Sequence, residues 1–401
     1  MSDDKLVQDL QTIANPPIPK EFRSFAEDDG SKGTGAALLP RPWNSHNDLL
    51  LGAGFDPREW RIDGRINARK WMNYDKEWLY YYKFDVVAGE APELVQEHIE
   101  DLTKHIRRRN RTVSGTVRPG DDAWAYWIAD WQVGKAEGDN GTEQTVDRVL
   151  ESFDLAEAQI KNLRRLGHKM PHGVFFGLGD IVEGTCGFYP GMSFMIDRNR
   201  REQGRINREL IAHGIDRLLP YFDRLTAGGV GGNHGENRSP KGERITDIGD
   251  NDDVAVFEAV KEAFDRAGED RIDWVIPDNE AALQLELGGV GVGVTHGHLF
   301  KGSLADLSAQ KGAVDWWRGQ DFGYQEIRGA QILVSGHFHH FSANTFGKRS
   351  HFQCPAMDPG SEWVVNRIGE EAPAAVLTMR FDASQPLGFA DVQLLSPSTM
   401  R

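Results

Sequence analysis

Apolar and polar positions follow two different textures along this chain. From Trp124 onward, short apolar runs of strand length alternate with longer stretches of helical spacing. The runs predict strands near 124–129, 173–178, 226–231, 283–295, 330–335 and 374–381. The intervening stretches predict helices near 143–167, 200–224, 252–267 and 304–317. Such alternation points to an α/β domain of layered αββα type. Before Trp124 the texture differs. Residues 1–40 are polar and rich in Pro and Gly (NPPIPK, DDGSKGTG) and read as a flexible arm. The stretch WNSHNDLLLGAGFDPREW reads as a short helix and turn, and the aromatic-dense run to Val87 reads as strands. Residues 92–111 have helical spacing and finish on a basic cluster, and TVSGTVRPGDD (112–122) reads as a linker. The expected organisation is therefore an arm (1–40), a small α+β module with its linker (41–120) and a main domain (121–401), with no internal repeat.

Composition narrows the classes. The chain has 401 residues, 39% hydrophobic and 27% charged, which is ordinary for a globular protein with a large core. Lys plus Arg number 46 against 61 Asp plus Glu, for a net charge of −15. That argues against coating nucleic acid by bulk electrostatics, though not against a local grip. Two cysteines, Cys186 and Cys354, form no CxxC or zinc spacing, so a reducing cytoplasm is expected. The N-terminus has no basic-then-apolar signal pattern, and no apolar run approaches the roughly 20 residues that span a bilayer, so no membrane association is expected.

Candidate chemistry gathers at five strand ends. The first is Asp130-Trp131-Gln132, closing AWAYWIA; in extended chain its acid and amide point the same way. The second is GVFFGLGDIVEG, running into Asp180 and Glu183. The third, GGVGGNHGENR, places Asn233 and His234. The fourth, GVGVTHGH, carries His296 and His298, and the fifth, AQILVSGHFHH, carries His337, His339 and His340. Six of the thirteen histidines fall in the last three motifs. Buried polar groups are costly unless something uses them. Asp, Asn and His converging at one sheet edge make a metal site, with Mn²⁺, Fe or Zn²⁺ better suited than Ca²⁺.

These motifs resemble the calcineurin-like metallophosphoesterase superfamily: D-x-H, GD-x-x-D, GNH-D/E, H and GH-x-H, in the same order over roughly residues 124 to 345. The resemblance implies a layered αββα sandwich and two divalent metals, Mn²⁺ favoured, with Mg²⁺, Fe or Zn²⁺ as alternatives. It implies that Asp130, Gln132, Asp180 and His339 hold the first metal, and Asp180, Asn233, His296 and His337 the second. A hydroxide between them would attack phosphorus, His234 would stabilise the developing charge or protonate the leaving group, and Glu183 would orient His234. Two positions depart from the pattern: Gln132 replaces the usual His, and Gly235 stands where an acid is common, with Glu236 one place later.

The motifs indicate phosphoester hydrolysis but not the ester. Five arginines lie in DRNRREQGRINR (197–208), Arg238, Lys241 and Arg244 follow the third motif, and KHIRRRNR forms another basic block. Arg clusters bind phosphate bidentately, although such blocks also serve as solvated helix faces. Arg238, and with it His298, is placed on the substrate side. The DxQ-x-GK and GNHGENR motifs resemble bacteriophage-encoded phosphoesterases related to SbcD-type exonucleases. That resemblance implies a DNA phosphodiesterase, with DNA and a separate SbcC-like ATPase chain as partners, since no Walker motif is present here. The alternatives are a phosphatase or phosphodiesterase on nucleotides or phosphoproteins, and a non-catalytic scaffold that keeps the fold.

Overall fold

The computed structural model describes residues 24–39, 46–56, 59–72, 78–88, 103–104, 106–107, 117–118, 120–137, 141–189, 192, 195–239, 241–302, 308–358 and 372–398. The chain divides into two compact units, Met1–Gln96 and Glu97–Arg401.

In the first unit, β1 (Phe25–Asp28), β2 (Lys32–Leu39), β3 (Trp60–Met72) and β4 (Trp78–Ala88) form an antiparallel sheet ordered β1-β2-β4-β3, with α1 (His46–Ala53) between β2 and β3. The α+β module expected from sequence thus starts earlier than residue 41. Residues 25–39, read as arm, pair as strands: β2 lines up with β4 from Lys32 opposite Val87 to Leu39 opposite Tyr80. The strands earn their place by burial, since Ala36 and Ala37 on β2 and Tyr82, Phe84 and Val86 on β4 are all buried. Residues 1–23 of the expected arm lie outside the described residues.

The second unit is a layered αββα sandwich. One sheet runs β15-β14-β5-β6-β7-β8, with β5 (Ala123–Ile128), β6 (His172–Gly177), β7 (Arg224–Gly229) and β8 (Ile272–Val275) parallel, and β14 (Val376–Phe381) and β15 (Phe389–Leu395) antiparallel at its edge. The other runs β12-β13-β11-β10-β9, from β9 (Ala282–Leu287), β10 (Val290–Thr295), β11 (Ile332–Ser335), β12 (Ser342–Phe346) and β13 (Arg349–Gln353). The strand alternation of β5 shows why two layers form. Trp124, Tyr126 and Ile128 enter a core with α2 (Thr142–Arg165), α3 (Arg200–Leu218) and α4 (Asp252–Ala267). Ala123, Ala125 and Trp127 enter a second core between the sheets, against Leu285, Val292, Ile332 and Val334. On the far side of the second sheet, Ala313 and Trp317 of α5 (Ser308–Phe322) cover Leu333.

Some expected boundaries shift. The single strand expected at 283–295 is a hairpin, β9 and β10, because Gly288 and Gly289 turn the chain at φ 60° and 76°. The short strands β8, β12, β13 and β15 have no predicted counterpart. The expected boundary at 120/121 also falls late. Ile106 is buried in the helix-side core, and Thr103 Oγ1 donates to the Ala263 carbonyl on α4 at 3.5 Å, so this segment belongs to the second unit. No helix among the described residues is long and apolar enough to cross a membrane.

Candidate metal centre

The parallel strands β5, β6, β7, β10 and β11 all deliver their C-terminal ends to one edge of the sandwich, and the five motifs follow those ends. The turns are unusual. Asp130 (φ 50°), Gln132 (φ 44°), Asp180 (φ 52°), His337 (φ 73°) and His339 (φ 61°) all have left-handed backbone. Each such non-glycine residue costs on the order of 1–2 kcal/mol and persists only where its surroundings enforce it. Asp130 and Gln132 are therefore not on extended chain, nor are His337 and His339. In each pair the two polar residues bracket a buried aromatic: Trp131 drives into the helix-side core and Phe338 into the core beneath α5. The anchored ring and the two reversed residues turn both polar side chains back over the sheet edge.

Asp180 is central. It is fully buried, its Oδ2 lies 2.9 Å from His296 Nε2, and its Oδ1 accepts the His234 backbone N–H at 2.7 Å. His296 Nδ1 is 2.8 Å from the Leu178 carbonyl oxygen. The carbonyl can only accept, so Nδ1 donates to it and Nε2 is the nitrogen that faces Asp180, the one that would give up its proton to hold a cation. That Nε2 lies 3.2 Å from Asn233 Oδ1 and 3.2 Å from His337 Nδ1. Ligand atoms of Asp180, His296 and His337 all lie within 4.8 Å of one another. On the other side, Asp130 Oδ2 accepts the His337 backbone N–H at 2.9 Å, while Asp130 Oδ1 is 3.4 Å from His339 Nε2. Gln132 Nε2 is also 3.4 Å from His339 Nε2.

The donor set fits divalent cations. Asp130 Oδ1 and Asp180 Oδ2 are buried carboxylate oxygens that meet only imidazole nitrogens, His339 Nε2 and His296 Nε2, and accept no backbone or hydroxyl hydrogen bond. Buried anionic oxygens that face only imidazole nitrogens are what a cation would satisfy. Without a cation, protons on the imidazoles balance the buried carboxylates. Burial works against ionising Asp180, but His296, His234 and His337 hold its carboxyl far below the usual range. Burial likewise opposes charge on His296, yet Asp180 raises it to about 9. His337 is pushed well down by burial and by His296.

His234 is held on three sides. Its Nδ1 is 2.8 Å from the Glu183 carbonyl and 3.2 Å from the Glu183 carboxylate, and its ring stacks on Phe188 at 4.3 Å and 7°. Glu183, itself fully buried, also accepts from Tyr189. Burial lowers the His234 pKa, but Asp180 and Glu183 outweigh it and bring it to about 10.

The two residues read onto the substrate side sit differently. Arg238 is built into a knot: its Nη2 and Nε reach Glu236 Oε2 at 2.7 and 2.9 Å, Nη1 donates to the Gly242 carbonyl at 3.2 Å, and the guanidinium covers Phe188 at 4.9 Å. Glu236 is buried and also binds Arg244 at 3.3 Å. A phosphate would have to share Arg238 with these partners. His298 has a side chain only 10% exposed and both ring nitrogens without hydrogen-bond partners, with Glu236 3.8 Å away. Burial, then His296, pushes its pKa down to about 3, so it is a neutral imidazole beside the site. His340, the remaining histidine of the fifth motif, contacts Gln353 instead.

Sequence reading missed Asp253. Fully buried at the start of α4, its Oδ2 accepts from the Asp180 N–H at 2.8 Å and the Gly232 N–H at 2.9 Å, and its Oδ1 from the Val182 N–H at 3.2 Å. Burial and the neighbouring Asp180 raise its pKa to about 7. Asn251, the α4 N-cap, donates to the Gly232 carbonyl at 2.8 Å. One helix start thus clamps the turns that carry Asp180 and Asn233. The clamp leaves no room for a side chain at Gly232, where a Cβ would lie 2.1 Å from Asp180 Oδ1. The only sequence signal was an N-cap Asn followed by acids, which reads equally as ordinary helix capping.

No protein-family model matches the chain, and no curated protein does. Among solved structures, it is similar to a predicted phosphoesterase from Streptococcus pneumoniae (15% identity over 69% of this chain and 90% of that one, TM-score 0.30). It is also similar to Vps29 of Entamoeba histolytica complexed with zinc (11%, covering 68% and 96%, TM-score 0.28). A third is an archaeal phosphodiesterase (11%, covering 68% and 99%, TM-score 0.28).

Proposed function

We propose that this chain hydrolyses phosphodiesters with the help of two divalent cations at the C-terminal edge of its sandwich. The observation that carries the proposal is the convergence of Asp130, Asp180, Asn233, His296, His337 and His339 around buried carboxylate oxygens that face only imidazole nitrogens. Asp180, His296, Asn233 and His337 would hold one cation, and Asp130, Asp180 and His339 the other, with Gln132 beside it. Bound there, the cations would polarise the phosphoryl oxygens and supply a nucleophile at neutral pH. The chain's own residues do the rest. His234, fixed through Nδ1 by Glu183 and flattened against Phe188, keeps Nε2 to give a proton to the leaving oxygen. The Asp180 and Glu183 carboxylates favour the protonated ring, and Glu183 holds it in one orientation.

DNA is the finer part of the proposal. Its support is the run of Arg238, Lys241 and Arg244 directly after the third motif in sequence and the SbcD-like motif pattern. A second reading, a phosphodiesterase or phosphatase on nucleotides or phosphoproteins, is favoured by the pairing of the arginines. Arg200 pairs with Asp252, Arg205 with Glu209, Arg198 with Asp197 and Glu143, and Arg238 and Arg244 share Glu236. The full chain with Mn²⁺ should be assayed on bis-p-nitrophenyl phosphate and on linear DNA across a salt series. Hydrolysis of the dye ester, lost at least about a hundredfold in Asn233→Ala and His339→Ala, is expected. Unchanged activity in either variant would refute the site. DNA cleavage that falls steeply with salt supports the nuclease reading, and dye-ester turnover with DNA left intact sinks it.

A further inference from the structure

The first motif ends on a residue, Lys135, to which no role has been given. Lys135 follows Gln132 by three residues, after the Gly134 turn. Its Nζ donates to Gln132 Oε1 at 3.3 Å and pairs with Asp358. Lys135 and Asp358 are both nearly out of water, with side chains 14% and 8% exposed. An ammonium has only donors, so it fixes which end of the amide faces it: the carbonyl oxygen must. The amide nitrogen is thereby turned the other way, toward His339 Nε2 at 3.4 Å. That nitrogen is the atom His339 would offer to a cation, and an NH₂ group cannot serve as a ligand beside it. Reversing the amide would aim its two N–H donors at an ammonium.

Resting on the proposed phosphodiesterase centre, we propose that Lys135 is a positioning residue that turns the Gln132 carbonyl away from the first cation position, so that the two cation positions are unequal. The second position has a compact group, Asp180, His296 and His337, with Asn233 beside it. The first is left with Asp130, His339 and the shared Asp180. The chain accordingly holds one ion firmly and exchanges the other, and Lys135 sets that difference through the amide it pins.

The test is Mn²⁺ binding to the full chain, followed by calorimetry and by electron paramagnetic resonance, which reports coupling between adjacent ions independently of turnover. The wild type is expected to bind one ion tightly and a second roughly ten- to a hundredfold more weakly, with the coupled signal appearing only at excess Mn²⁺. Lys135→Met frees the amide and should bring the second affinity closer to the first. Because that variant leaves Asp358 unpaired and could fail to fold, Gln132→His is made alongside. It keeps the Lys135–Asp358 pair, replaces the pinned amide with an imidazole, and should also narrow the gap. Two equally tight ions in the wild type would overturn the inference while leaving the proposed function standing, as would an unchanged gap in a folded Gln132→His. No Mn²⁺ binding at all would overturn both.

Discussion

At the scale of single residues, the proposed centre is organised by side chains that offer no ligand atom to it. Asp253 is the clearest case, because three backbone donors from the Asp180 and Gly232 turns end on its carboxylate. Removing that acceptor strands buried N–H groups, each costing on the order of 1–3 kcal/mol. Asp253→Ala is therefore expected to lower stability by about 3 kcal/mol or more. The Asp180 turn loses its clamp as well, so Mn²⁺ affinity should fall further than in a surface variant of equal stability. Asp253→Asn keeps one oxygen and should fall between the two. Urea denaturation with and without Mn²⁺ checks this: an Asp253→Ala protein with wild-type midpoint and metal affinity would show that the clamp does nothing. The same residue marks the limit of what sequence could reveal. Asp130, Asp180, His296 and His337 stood out because each ends an apolar strand on a polar group. Asp253 sits inside a helix start where acids are ordinary, and only the folded chain shows what its oxygens accept. The left-handed turns at 130, 132, 337 and 339 were equally hidden, since no glycine marks them.

At the scale of elements, strand and helix positions followed from periodicity, most closely at α4, where the expected and observed spans coincide at 252–267. Short or edge strands such as β8 and β12 carry too few apolar positions to be read. What periodicity does not show is why β6 and β7 hold glycines in the middle of a packed sheet. Phe257 of α4 presses into both: a Cβ at Gly177 would lie 2.6 Å, and one at Gly229 2.4 Å, from its ring. The glycines let α4 approach closely enough for Asn251 and Asp253 to reach the turns. Overpacking of this kind costs about 1–3 kcal/mol. Gly229→Ala is expected to destabilise within that range, and adding Phe257→Leu should recover part of the loss. If the double variant is no more stable than the sum of its single changes, measured by urea unfolding, the ring is not what the glycine accommodates.

At the scale of the whole molecule, the division into units decides which part of the chain the centre needs. All five motifs, and every element that positions them, lie beyond Gln96. The segment just after that boundary still belongs to their support. Ile106 is buried in the core shared by α2, α3 and α4, and Arg107 donates to the Arg266 carbonyl at the end of α4. A chain starting at residue 97 should therefore fold and bind Mn²⁺ as the full chain does. One starting at residue 121, the boundary that linker-like composition indicates, exposes the pocket Ile106 fills. Burying an Ile side chain contributes roughly 1.5–3 kcal/mol, so the shorter chain should unfold at correspondingly lower urea. Its loss should appear first in α4, whose start holds Asp180 in place, and hence in metal affinity as well as in the midpoint. Equal stability and equal Mn²⁺ binding in the two truncated chains would separate residues 97–120 from the centre; weaker binding in the shorter one ties a segment that carries none of the five motifs to the geometry of Asp180.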